Sequence, residues 1–279
     1  MRTVLQHPVD EAHARAGLAR ARAELETSLA AARTSAAALE PLRTSALACA
    51  GYLAALEPVG AELGRALRLG AQAAGATFAL AARTYGRLEL PLGPGAPVSL
   101  PATGPTETAH VRAWREGFLL ATVARDRRTL GALAKAPLAT VRGAAREPEY
   151  LLRYAALMQG LWAEAPDVPQ RLVAVLAATA PQALPPAAEE HALNLVAPEL
   201  EALYRFLIAD RAAFADALAW ALERHRVYWT RPGRAPDPAG FLALGPAAVA
   251  AVATEAGWPI DVASAYVPPA VVAGTLPTR

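Results

Sequence analysis

Residues Leu203 to Pro268 read LYRFLIADRAAFADALAWALERHRVYWTRPGRAPDPAGFLALGPAAVAAVATEAGWPIDVASAYVP. Three of the five Trp and three of the seven Tyr fall in this stretch, within a chain otherwise built from Ala, Leu and Arg. Phe214, Leu218, Ala221 and Leu222 recur at the spacing of one helical face, while Asp216, Glu223, Arg224 and Arg226 fall largely elsewhere, so the pattern predicts an amphipathic helix. Asp210 is its N-cap candidate. Thr230-Arg231-Pro232-Gly233 stops it, because proline donates no ladder hydrogen bond and glycine accepts a left-handed cap. A preceding helix over 187–209 carries Leu193, Leu200, Leu203, Leu207 and Ile208, which makes a helical hairpin with almost no loop. Asp237-Pro238-Ala239-Gly240 then opens a third, very apolar helix running from Phe241 to Ala256, which should be buried.

Glu223, His225, Arg226, Tyr228 and Trp229 gather titratable and aromatic side chains at the end of the second helix. As a binding hot spot, Tyr, Trp and Arg bury large areas at low entropic cost. As structure, the same aromatics close the end of a hairpin and His225 is a hydrogen-bonded strut. Asp237 and the pair Glu189-Glu190 complete the candidate binding residues. No catalytic residue is assigned, since no partner Cys, Ser or Asp stands at a diagnostic spacing from His225.

The 279 residues suffice for a sizeable core, and 54% hydrophobic against 19% charged residues excludes disorder by composition. Most of the apolar excess is Ala, a strong helix former, whereas strand-favouring residues are few. The fold class expected is all-α: a multi-helix array of antiparallel hairpins, read as one helical domain over 1–279. A net charge of +2 gives no electrostatic case for nucleic acid. Cys49 is the sole cysteine, so neither an intramolecular disulfide nor a multi-thiolate zinc site can form. The apolar runs near Ala71 and Phe241 fall short of the roughly 20 residues that span a bilayer. The N-terminus has Arg2, His7, Asp10 and Glu11 where a signal peptide would be apolar. A cytoplasmic protein without a membrane partner is therefore expected.

Residues 1–9 form a short irregular lead, and a helix from Asp10 carries Leu18, Leu25 and Leu29 as a narrow apolar stripe. Helices over 35–56 and 59–85 follow. RLELPLGPGAPVSLP from Arg87 to Pro101 has the alternation and turn residues of a small β-hairpin or extended arm, with a candidate sub-boundary at 87–104. Beyond it, helices are expected over 105–125, 126–135, 149–164 and 168–180, then a proline-rich break over 181–186 and a loosely patterned tail from Val267. His13 is read as exposed, and His110 stands at a helix start with no metal-like partner four residues on.

There is no phosphate-binding glycine loop, no His-Glu-x-x-His and no GxSxG elbow. Neither metal nor cofactor is expected. Glu189-Glu190 and Glu199/Glu201 are near in sequence but point apart on a helix, which suits a solvated face better than an acid/base pair.

YRFL at Tyr204–Leu207, ALERHRVYW at Ala221–Trp229, Asp237 and Gly240 leading into LALGP at Leu242–Pro246, and AYVP at Ala265–Pro268 together resemble the immunity protein 49 family. LPATGP at Leu100–Pro105 and the opening MRT also fit, while the double proline after Val267 departs from the pattern. That family accompanies bacterial polymorphic toxin systems and is common in actinobacteria. The resemblance implies a helical, non-enzymatic protein that protects its own cell by binding a cognate toxin. Local acidic complementarity would then fall at Glu189, Glu190, Glu199 and Glu201. A helical adaptor for endogenous proteins is the second reading, and an enzyme using Glu223, His225 and Tyr228 the third.

Overall fold

The computed structural model describes residues 1–143 and 147–277. It is 65% helical and 4% strand, so the expected all-α class holds. The first helices are α1 (Glu11–Ala32), α2 (Leu39–Leu56) and α3 (Ala61–Ala81). A hairpin of β2 (Arg87–Leu90) and β3 (Val98–Pro101) follows. Then come α4 (Val111–Val123), α5 (Arg127–Ala134), α6 (Leu138–Arg142), α7 (Glu149–Trp162) and α8 (Val168–Ala178). The last third holds α9 (Pro186–His191), α10 (Ala197–Leu207), α11 (Arg211–Trp229), α12 (Leu244–Glu255) and α13 (Pro269–Ala273). The chain forms two compact units. One contains Met1–Ala19, Ala48–Gly64 and the chain from Thr179 on; the other contains Arg20–Leu47 and Arg65–Ala178.

In the second unit the abundance of Ala and Gly has a packing reason. A Cβ added at Gly117 of α4 would lie 2.2 Å from the Ala74 Cβ of α3, and one at Gly70 would lie 2.9 Å from Leu120. These helices approach too closely for larger side chains. The expected hairpin is present, pairing Arg87 with Pro101 and Leu90 with Val98 in antiparallel register. Its Leu90, Val98 and Leu100 are buried, and Gly93 and Gly95 make the turn at positive φ. His110 becomes the N-cap of α4, its Nδ1 accepting from the Ala113 N–H. Glu147 lies 3.6 Å from the same nitrogen, and burial still holds the imidazole below its ordinary pKa. Arg43, nearly buried, is held between Glu40 and Glu116.

In the first unit the α10/α11 corner is as tight as expected. Ala209 takes a left-handed conformation, the Asp210 N–H donates to the Arg205 carbonyl, and the Asp210 carboxylate accepts from the Ala213 N–H at 3.1 Å. The helix expected over 187–209 is divided. Pro198 has no N–H for the Asn194 carbonyl and would crowd it in α-helical register, so the backbone runs as a π-helical turn over Ala192–Val196.

Three expectations need correction. Residues 1–9 are irregular only in part: within them β1 (Arg2–Thr3) pairs in parallel with β4 (Val262–Ala263). Asp237 caps a short 3₁₀ turn over Pro238–Gly240 rather than the long helix, which begins only at Leu244. Finally, Pro238–Glu255 is long and apolar enough to cross a bilayer by length and composition, but 67% of it is buried in the protein, the setting of a core helix.

Candidate functional site

The site is built on α11. Its inner face carries Phe214, Leu218, Ala221, Leu222 and His225, all buried, at spacings that hold one side of a helix against the core. His225 is 5% exposed, and its Nε2–H donates to the Gly240 carbonyl at 2.9 Å. Burial pushes its pKa down to about 4, against the opposing pull of that carbonyl. The ring stands edge-on to Tyr266, with centroids 4.8 Å apart. The Tyr266 hydroxyl accepts from the His7 N–H at 3.0 Å and donates to His7 Nδ1 at 2.7 Å, leaving His7 Nε2–H to donate to the Ala235 carbonyl. Burial lowers the pKa of His7 and raises that of Tyr266. Two neutral imidazoles and a phenol thus join the N-terminal segment, α11 and the segment after β4. His225 is the strut of the structural reading.

The loop after α11 is fixed by a second set of contacts. Arg231 and Arg234 both pair with Glu190, at 2.5 Å and 2.9 Å, and the Arg234 guanidinium lies 4.0 Å from the Tyr228 ring centroid. The hydrogen bond from Arg234 holds the Glu190 carboxyl below the usual range, and Glu190 in turn raises Arg234. Trp229 packs on Gly240 so closely that a Cβ there would come within 2.9 Å of its indole. Tyr228 and Trp229 are in edge contact, 5.1 Å between centroids.

Tertiary structure therefore divides the predicted residues. Glu223, Arg226, Asp237 and Glu189 are exposed; Tyr228, Trp229 and Glu190 are half-buried in the loop contacts; His225 is inside. Glu223 and His225 lie on different sides of α11, so the Glu223, His225 and Tyr228 of the enzyme reading do not converge on one substrate position. Glu199 is 1% exposed and Glu201 pairs with Arg205, so neither offers a free surface carboxylate. Among the described residues, no group of three His, Cys, Asp or Glu could hold a metal ion.

Sequence reasoning passed over two features. Trp220 is 42% exposed, and Val227, seven residues on, is 40% exposed. With Asp216, Glu223 and Arg224 they form the outer face of α11, where a large aromatic is unusual for a solvated helix. Seven-residue spacing was the available signal. His7, by contrast, had none, because its partners Ala235 and Tyr266 lie 228 and 259 residues away.

The model of the family described as Immunity protein 49 matches residues 54–271. The chain belongs to this family. The matched segment takes in α3 to α12 and every candidate binding residue of the Immunity protein 49 chain, while β1, His7 and α1 precede it. Membership indicates an immunity-protein role, in a family that is generally non-enzymatic. No curated protein and no solved structure gives a significant match.

Proposed function

We propose that this chain neutralises a cognate bacterial polymorphic toxin in the cytoplasm by stoichiometric binding, without chemistry of its own. The family match over residues 54–271 carries this reading. The site agrees with a binding role: His225, its only buried titratable side chain on α11, spends its donor on a backbone carbonyl and is sealed from any substrate. The exposed outer face of α11 supplies what a partner needs, an aromatic anchor in Trp220 and an aliphatic neighbour in Val227 beside Glu223 and Arg224. Because Glu190 is already paired with two arginines, Glu223 and Glu189 are the carboxylates we assign to partner contact. A net charge of +2 favours a protein partner matched by shape over nucleic acid held by charge.

The test is co-expression. An adjacent or best-matching toxin domain is induced in a sensitive host with and without it, followed by pull-down from the surviving cells. Restored growth with a stable one-to-one complex is expected. Undiminished killing and no complex, with both proteins folded, would refute immunity by binding and leave the adaptor reading.

A further inference from the structure

The sheet of β1 and β4 is two-stranded, and one edge of β1 is open. The N–H groups of Arg2 and Val4 donate to the carbonyls of Asp261 and Ala263, at 2.8 Å and 3.0 Å. Backbone alternation in β1 then turns the N–H and C=O of Thr3 to the opposite edge, and neither Thr3 nor Leu5, which follows the strand, has a backbone partner among the described residues. Side chains alternate too. Arg2 turns to Asp216 of α11, with 2.7 Å between charges, and Val4 is buried, whereas Met1 and Leu5 are 92% and 68% exposed. Met1, Thr3, Val4 and Leu5 border a groove of about 790 Å³ that β4 also lines through Val262 and Ala263. Among the described residues, no Asp, Glu, Lys or Arg side chain lines it.

These features define the occupant. Unpaired main-chain donors and acceptors at two-residue spacing are complemented by another extended backbone, and an acyl chain could not satisfy them. With no charged side chain among its described lining residues, the groove gives a charged side chain no side-chain partner, and burial of one there would be costly. We propose that the toxin docks an extended, uncharged segment of about four residues beside β1 as a third strand, with alternate apolar side chains in the groove. The proposal rests on the toxin-binding reading above.

The experiment compares the full chain with Leu5→Ala and Leu5→Pro, each titrated calorimetrically with the toxin domain that the full chain neutralises in the co-expression test. Alanine keeps the N–H at position 5 and proline removes it, while the bonds from the N–H groups of Arg2 and Val4 to β4 survive both. The expected result is a Kd raised about tenfold or more by Leu5→Pro and clearly less by Leu5→Ala, with unchanged thermal melts. Amide hydrogen exchange of the parent complex supplies the second readout: Thr3 and Leu5 should slow about tenfold or more on binding. Equal affinity for parent and Leu5→Pro, or free exchange at Thr3 and Leu5 in the complex, would overturn the proposal while leaving toxin binding intact. The second of these outcomes is also what an acyl chain in the groove would give. No complex with the parent chain would refute toxin binding and this docking mode together.

Discussion

Replacing His225 by Gln should remove a large part of the protein's loss of stability in mild acid. In the fold, His225 is neutral, with its pKa pushed from 6.5 to about 4, chiefly by burial. Once unfolded it regains the ordinary value and binds a proton below pH 6.5, which the native state refuses until about pH 4. Stability from this residue is therefore fully present above pH 6.5, falls between 6.5 and 4, and is flat below. Linkage over that interval gives a loss of about 2 kcal/mol by pH 5 and about 3 kcal/mol by pH 4. Glutamine keeps an N–H for the Gly240 carbonyl and binds no proton in this pH range. Urea unfolding of parent and His225→Gln at pH 7.5 and pH 5, followed by far-UV circular dichroism, measures the difference. The variant should lose about 2 kcal/mol less than the parent on acidification. Some acid sensitivity should remain in it, because His7 and His110 are also held below their ordinary pKa by burial. If parent and variant lose the same amount, His225 is either already protonated in the fold or not buried as described, and the strut argument fails.

Other substitutions test packing and surface separately. Gly51→Ala would place a Cβ 2.0 Å from the Pro238 carbonyl oxygen, a backbone atom with little room to retreat. It should cost about 3 kcal/mol in denaturant unfolding, and a cost under about 1 kcal/mol would contradict that contact. Ala209→Gly should stabilise by about 1 kcal/mol, since Ala209 holds a left-handed φ of 57° that glycine adopts without strain. No gain in melting temperature would argue against the corner geometry. Trp220→Ala should weaken the toxin complex by about 2 kcal/mol in calorimetry while the protein still folds, because its side chain, though more than half covered, is 42% exposed on α11. A destabilised protein with unaltered affinity would make Trp220 a structural residue instead.

Local signals in the sequence were informative wherever local chemistry controlled the outcome. Asp210 as a cap, the stop after Trp229 and the inner stripe of α11 depend on neighbours within a few residues, and each stands in the structure. The hairpin over 87–101 was legible for the same reason: alternation and a Gly-Pro-Gly turn are local properties. The π-helical turn over Ala192–Val196 was harder to see, although Pro198 advertised a lost donor, because a proline there is equally compatible with a kink or a helix end. At the candidate site, composition singled out the right segment but could not orient it. Alternation along α11 placed His225 near Glu223 in sequence and on another side in space.

From its sequence alone this protein was determined to be all-α, with its hairpin corner and the Asp210 cap, and its motifs resembled a family to which it indeed belongs. Periodicity, propensity and capping act over one or two turns, so they are written in short stretches. Only the tertiary structure decided that Arg2 and Thr3 are a strand beside Val262 and Ala263, that His7 closes on Tyr266, and that a largely apolar groove opens next to that sheet. These pairings join residues more than 250 positions apart, and their partners are chosen by which surfaces remain when the helices have packed.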